Sequence, residues 1–140
     1  MEIEIFTLCD AATVDNGKLN ILGTFDQITA PRFPMFHRHC AVALRVRFER
    51  IEEGRHPVRI SFVNADGKPV MPSLSGELGA PGGGDPPWVC QHLIVDLNNT
   101  RFEAPGLYSI DLAIDGRQER SLPLCVGLSK SVSPPAEPAV

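Results

Sequence analysis

An Asn16-Gly17 step sits between two alternating apolar runs, residues 6–14 and 19–28. No other feature constrains the fold of this chain as tightly. Asn-Gly suits a type I′ turn, which needs positive φ at both central residues and joins two antiparallel strands. A two-residue loop pairs Asp15 with Lys18. Counting outward sets Val14 against Leu19, Ala12 against Ile21 and Leu8 against Phe25 on one apolar face. Thr13 meets Asn20, Cys9 meets Thr24 and Thr7 meets Asp26 on the other, mostly polar face. A one-residue slip would exchange the faces, so the pattern specifies this register. Asp10, opposite Gly23, breaks it. The expectation is a bulge at Cys9–Asp10 with the carboxylate satisfied by backbone donors; the alternative is a buried functional acid.

Further alternations follow. Residues 40–49 place Val42, Leu44, Val46 and Phe48 on one face and Arg45 and Arg47 on the other. Residues 56–64 repeat the pattern with Val58, Ile60 and Phe62. Pairing the two as neighbours sets Phe48 opposite Val58, Val46 opposite Ile60 and Leu44 opposite Phe62. A three-residue loop at Ala65-Asp66-Gly67 then opposes Phe62 to Val70, Ile60 to Pro72 and Val58 to Leu74. Pro69 and Pro72 mark that incoming strand as an edge, since proline cannot donate to the ladder. Residues 79–87 read as a loop, residues 88–97 as a strand, and Asn98–Thr100 as a turn. The last hairpin, at Asp115-Gly116, is expected to use a three-residue loop that puts Tyr108 with Leu122 or Leu124.

No segment keeps a helical period, and 13 prolines and 12 glycines argue against a bundle. The expected fold is all-β: a single antiparallel β-sandwich of immunoglobulin-like type with 7–8 strands, a closed barrel being the alternative. One domain spans residues 1–128. Residues 129–140, rich in proline and serine, are expected to form a disordered tail.

A net charge of −4 and a pI near 5.5 give no drive toward nucleic acid or anionic membrane. No apolar run is long enough to span a bilayer. The opening Met-Glu-Ile-Glu-Ile is acidic and alternating, unlike a signal peptide, so a cytoplasmic location is expected. In that reducing setting Cys9, Cys40, Cys90 and Cys125 read as buried thiols.

Two pieces carry a likeness. Phe6-Thr-Leu-Cys-Asp10 followed by Gly17-Lys-Leu-Asn-Ile-Leu-Gly-Thr-Phe-Asp26 resembles the opening of an uncharacterised bacterial family, a domain of unknown function. Pro105-Gly-Leu-Tyr108, leading into a strand and an Asp-Gly turn, is similar to that family's closing segment and to the late hairpin of many immunoglobulin-like domains. The resemblance implies a small bacterial β-sandwich and supplies no catalytic residues.

Chemistry is sparse. His37-x-His39 and Cys90-x-His92 each place two metal-ligand types on one strand face, but neither is a zinc-finger spacing. No serine lies in a Gly-x-Ser-x-Gly elbow. Cys90 and His92 project in parallel and do not form a nucleophile–base pair. Gly82–Gly84 lacks the Lys-Ser/Thr of a phosphate loop. Trp88 and Tyr108 alone make a poor sugar platform. The best candidate patch is Arg45, Arg47 and Arg59, with Arg47 directly opposite Arg59. Opposed like charges need an offset, either from Asp111 and Glu49 or from an anionic ligand or acidic partner. The expectation is a non-catalytic binding or scaffold module without cofactor or metal. It would act through a sheet face, edge strand or loops on a protein partner or on itself. The alternative is a metal-dependent or acid-assisted enzyme using the His/Cys pairs or Asp10.

Overall fold

Strands occupy 74% of the described residues, arranged in two sheets with no α-helix among them. The structure is a computed structural model that describes residues 1–129; of the tail expected over residues 129–140, all but Ser129 lies outside them. The strands are β1 (Glu2–Asp15), β2 (Lys18–Thr24), β3 (Gln27–Ala30), β4 (Met35–Glu49), β5 (Gly54–Asn64), β6 (Leu74–Ala80), β7 (Trp88–Phe102), β8 (Gly106–Ile114) and β9 (Arg117–Leu128). The first sheet runs β2-β1-β4-β7 and the second β3-β9-β8-β5-β6. The second sheet is curled into a half-barrel. All pairs are antiparallel except β3 with β9, which are parallel. That pair corrects the expectation of a purely antiparallel sandwich: after Phe25 the chain leaves the first sheet and lays β3 beside the last strand of the second.

The core lies between the sheets. Val42, Leu44, Val46 and Phe48 of β4 face Val58, Ile60 and Phe62 of β5 and Ile110, Leu112 and Ile114 of β8. Phe62, Phe102 and Tyr108 meet edge to face, with centroids 5.1–6.3 Å apart, the geometry that aromatic quadrupoles favour. The Tyr108 hydroxyl donates to the carbonyl of Ala104.

The first hairpin has the expected register, including Val14↔Leu19, Ala12↔Ile21 and Cys9↔Thr24 around the Asn16-Gly17 turn, where φ is 51° and 70°. No residue is inserted at Cys9–Asp10. The irregularity is Gly23, whose φ of 69° lets Asp10 lie directly against it: a Cβ at Gly23 would sit 2.5 Å from Asp10 Oδ2. Asp10 is exposed, which removes the buried-acid reading. The apolar face is also divided. Leu8 and Phe25 join the main core, whereas Ala12, Leu19 and Ile21 pack on a second cluster of Cys9, Ala41 and Ala43.

Four expectations are corrected, the first because pairing and packing are different ways to match apolar faces. First, β4 and β5 are not neighbours. β4 pairs β1 and β7, while β5 pairs β6 and β8. The turn Arg50–Glu52 carries the chain between layers, so the matching residues meet face to face. Second, the Gly67 loop has three residues at its root, with Asn64 N donating to Lys68 O and Val70 N to Phe62 O. The strand then detaches, and Ile60 pairs with Leu74, not Pro72, because proline has no N–H to offer. Third, Asp115-Gly116 makes a two-residue turn with Ile114↔Arg117. The extra residue appears two pairs later, as a bulge after which Leu112 opposes Arg120. Tyr108 and Leu124 still share a face. Fourth, the chain does not turn at Asn98–Thr100. Asn99 adopts φ 52° and β7 continues, delivering Phe102 to the core.

Candidate functional site

The opening Glu2-Ile3-Glu4-Ile5-Phe6-Thr-Leu8 changes its apolar phase from odd to even positions. A continuous strand cannot bury both sets, and the structure resolves this with a bulge. Ile3 opposes Val46, but Ile5 opposes Arg45, leaving Glu4 as the extra residue. Its carboxylate turns outward onto β4. Arg45 Nε donates to Glu4 Oε1 at 2.6 Å and Arg47 Nη1 to Oε2 at 2.9 Å. Across the β4–β7 ladder Arg45 opposes His92 and Arg47 opposes Cys90. Arg45 Nη1 lies 2.7 Å from His92 Nε2. Since arginine only donates, that nitrogen accepts, and the ring proton sits on Nδ1. Cys90 Sγ lies 3.7 Å from Glu4 Oε1.

The titration of this cluster follows from its contacts. The Arg45 hydrogen bond, aided by Arg47, holds the Glu4 carboxyl below its usual range against some desolvation. Burial and then the Arg45 charge push His92 down, and burial pushes the Cys90 thiol up. Two guanidiniums face one carboxylate, and the cluster is half-buried.

Glu4 supplies the carboxylate that was sought at Asp111 or Glu49. Asp111 instead accepts from the hydroxyls of Ser109 and Ser121. Arg59 lies in the other sheet, opposite Ala113 and Ser75, so Arg47 and Arg59 do not oppose one another. Only Arg45 and Arg47 of the three are brought together. The phase change at Ile5–Phe6 is the sequence signal that marks Glu4.

The histidine pairs do not converge. His39 opposes Asn98 while His92 opposes Arg45, six residues along the same ladder, or roughly 20 Å at strand rise. His39 Nδ1 hydrogen-bonds Asn98 Oδ1 at 2.8 Å. Among the described residues no group of three His, Cys, Asp or Glu could hold a metal ion. His56 forms a carboxylate pair, with Nδ1 2.9 Å from Asp115 Oδ2, but its Nε2 meets the Glu52 carbonyl at 2.7 Å. The ring stacks on Phe48 at 4.3 Å. Desolvation lowers its pKa, yet Asp115 and Glu52 raise it further, so the net shift is upward. With both nitrogens donating, no lone pair remains for a base. Cys9 and Cys40 are buried as expected, Cys40 pushed up to about 11 by desolvation; Cys90 is half-buried and Cys125 exposed, which corrects the other two.

The two sides of the sandwich differ. On one, the chain crosses from β2 to β3 and ties the sheets together, with Phe25 N bonded to Leu8 O and Cys125 N to Asp26 O. On the other, β6 and β7 are both edge strands. β7 pairs β4 from Trp88 to Phe102, and among the described residues no strand pairs with its second edge. Gln91 Nε2 donates to Gly79 O across the gap at 2.6 Å. Beside it lies a small apolar seam lined by Val58, Ile60, Leu74, Leu93 and Val95. No helix is long and apolar enough to cross a membrane among the described residues.

The family model that matches residues 4–127 is DUF6941, a family of unknown function. No curated protein matches the sequence. Among solved structures the chain is similar to a β-glucosidase from Listeria innocua in complex with isofagomine. The identity is 9% and the TM-score 0.51, over 88% of this chain and 16% of that one. The β-glucosidase in complex with gluconolactone matches with the same values. The alkylpurine DNA glycosylase AlkC of Pseudomonas fluorescens, bound to DNA containing an abasic site analog, matches at 11% identity and TM-score 0.49, over 87% of this chain and 30% of that one. The chain thus spans less than a third of the length of these proteins, and the likeness to the β-glucosidase concerns the fold.

Proposed function

We propose, for a chain that belongs to the DUF6941 family of unknown function, a non-catalytic binding module that works through its open side. The observation that carries this reading is β7: fifteen residues without proline, paired along one edge only among the described residues. A guest segment in extended form would gain main-chain hydrogen bonds there, and the seam beside Leu93 and Val95 would take its alternate side chains. We read the sandwich as immunoglobulin-like. Support comes from β3, which crosses to run parallel with β9, and from Tyr108, whose hydroxyl bonds a carbonyl four residues upstream, as in the tyrosine corner of such domains. Four unpaired thiols support a reducing, cytoplasmic compartment, and the bacterial origin rests on the resemblance of the opening motif. Arg45 and Arg47 would contribute a positive rim beside the edge, whereas Arg59 would act from the opposite sheet.

The test is capture from a bacterial lysate by wild type and by Leu93→Lys, with melting followed in parallel. The reading expects a specific partner, or self-association, that Leu93→Lys loses while remaining folded. A wild type that is monomeric and captures nothing, or capture indifferent to Leu93→Lys, overturns it.

A further inference from the structure

We propose that β7 pairs edge to edge with β7 of a second copy of this chain, antiparallel about a two-fold axis at Ile94. This rests on the reading of β7 as the working edge. An antiparallel self-pair must be complementary to itself, since each residue meets its reflection about the axis. Centring on Ile94 sets His92 against Asp96 and Leu93 against Val95, each twice. Both matches respect the faces of the sheet. Leu93 opposes Leu44 of the inner face, and His92 opposes Arg45 of the outer face. Ile94 would meet its own copy on the outer face.

The polar pair is prepared for this. Arg45 occupies Nε2 of His92 at 2.7 Å, which leaves Nδ1–H as a donor directed by a fixed tautomer. Asp96 is exposed, and its intramolecular partner is His39 Nε2 at 3.7 Å, so its oxygens have acceptor capacity to spare. Shifting the axis to Leu93 opposes Ile94 to His92 and Asp96 to Cys90. Shifting it to Val95 opposes Ile94 to Asp96. Either shift loses the donor–acceptor match. Pairing would join two four-stranded sheets into one of eight and cover the half-exposed Leu93 and Val95.

Sedimentation equilibrium of the full chain over a wide dilution series tests this. The expected mass rises from 15.2 kDa to twice that value with concentration, and β7 edge amides gain protection from hydrogen exchange in step. Asp96→Lys and His92→Glu each oppose a like or unmatched pair twice, and each should weaken the dimer about tenfold. The double variant reverses the pair and should restore it to within a few-fold. Circular dichroism checks that every variant is folded; Glu at position 92 can still accept from Arg45. A monomer at every concentration, a dimer indifferent to both single changes, or a double variant that fails to recover overturns the proposal. A monomer that still captures a lysate partner in a Leu93-dependent way overturns the self-pair alone and leaves the binding-module reading standing.

Discussion

Two halves of one strand face behave oppositely. Along the outward side of β4, Ala41 and Ala43 are sealed, while Arg45 and Arg47, the next alternate positions, are half-exposed and charged. Over the alanines, with Cys9 beside them, pack Ala12, Leu19 and Ile21 of the first hairpin and Ile94 of β7. The arginines instead meet polar groups, the Glu4 carboxylate and the His92 ring. A sheet face is thus sorted by side-chain size as much as by polarity. Small residues let a neighbouring hairpin approach to contact; guanidiniums hold space open and recruit a charge, here by a bulge that turns Glu4 outward.

The comparison breaks most completely at Ala43. Ala43→Asp puts an unpartnered carboxylate under the hairpin and should cost about 3–5 kcal/mol, read as a fall in the urea midpoint. Arg45 lies two residues away but across the boundary, so the loss measures how well the sealed half excludes water. Gly23→Ala comes next. It combines a positive φ with a close approach to Asp10 and should cost about 1–3 kcal/mol. Adding Asp10→Ala should recover the steric share and leave the backbone share, which thermal melts of the single and double variants can separate.

Smaller effects belong to the open half. Glu4→Gln should cost about 0.5–1 kcal/mol, since the cluster is partly solvated. The Glu4 charge raises the Cys90 pKa, so the same change should speed alkylation of Cys90 by iodoacetamide at mildly alkaline pH. An unchanged rate would remove Glu4 from the thiol's environment.

The pH dependence sharpens the contrast further. The folded pKa of Glu4 lies below its ordinary 4.5, so its contribution is present above that value and fades as pH falls through the folded value. His56 has a folded pKa above 6.5; its contribution is full below 6.5 and is lost as pH rises through the folded value. His92 is depressed below 6.5, so it removes stability as pH falls from 6.5 through its folded value. Asp115→Asn should therefore lower the urea midpoint most below pH 6.5 and flatten the decline on the alkaline side, while the fade below 4.5 that Glu4 governs remains.

The Asn16-Gly17 register, the strand segments and the inward faces of β4, β5 and β8 were legible because local alternation and turn chemistry act within a few residues. Bulges at Glu4 and beyond Leu112, and the detachment before Leu74, were less so. Before Leu74 and beyond Leu112 the loop count alone balanced and the extra residues appeared away from the turn, whereas Glu4 is extra in the β1–β4 pair, which no hairpin turn joins. The polar cluster was half legible: Arg45 and Arg47 were found, but Glu4, 41 residues away in sequence, was marked only by a change of phase.

The sequence alone settled the alternation within β4, β5 and β8, the turn at Asn16-Gly17 and that the chain is built of strands. Only the tertiary structure decided which strand lies beside which. Apolar faces that match in register can be satisfied by pairing in one sheet or by packing between two, and the alternation is the same for both. For β4 and β5 packing prevailed, which carried Arg59 away from Arg47 and left β7, along one side, without a paired strand among the described residues.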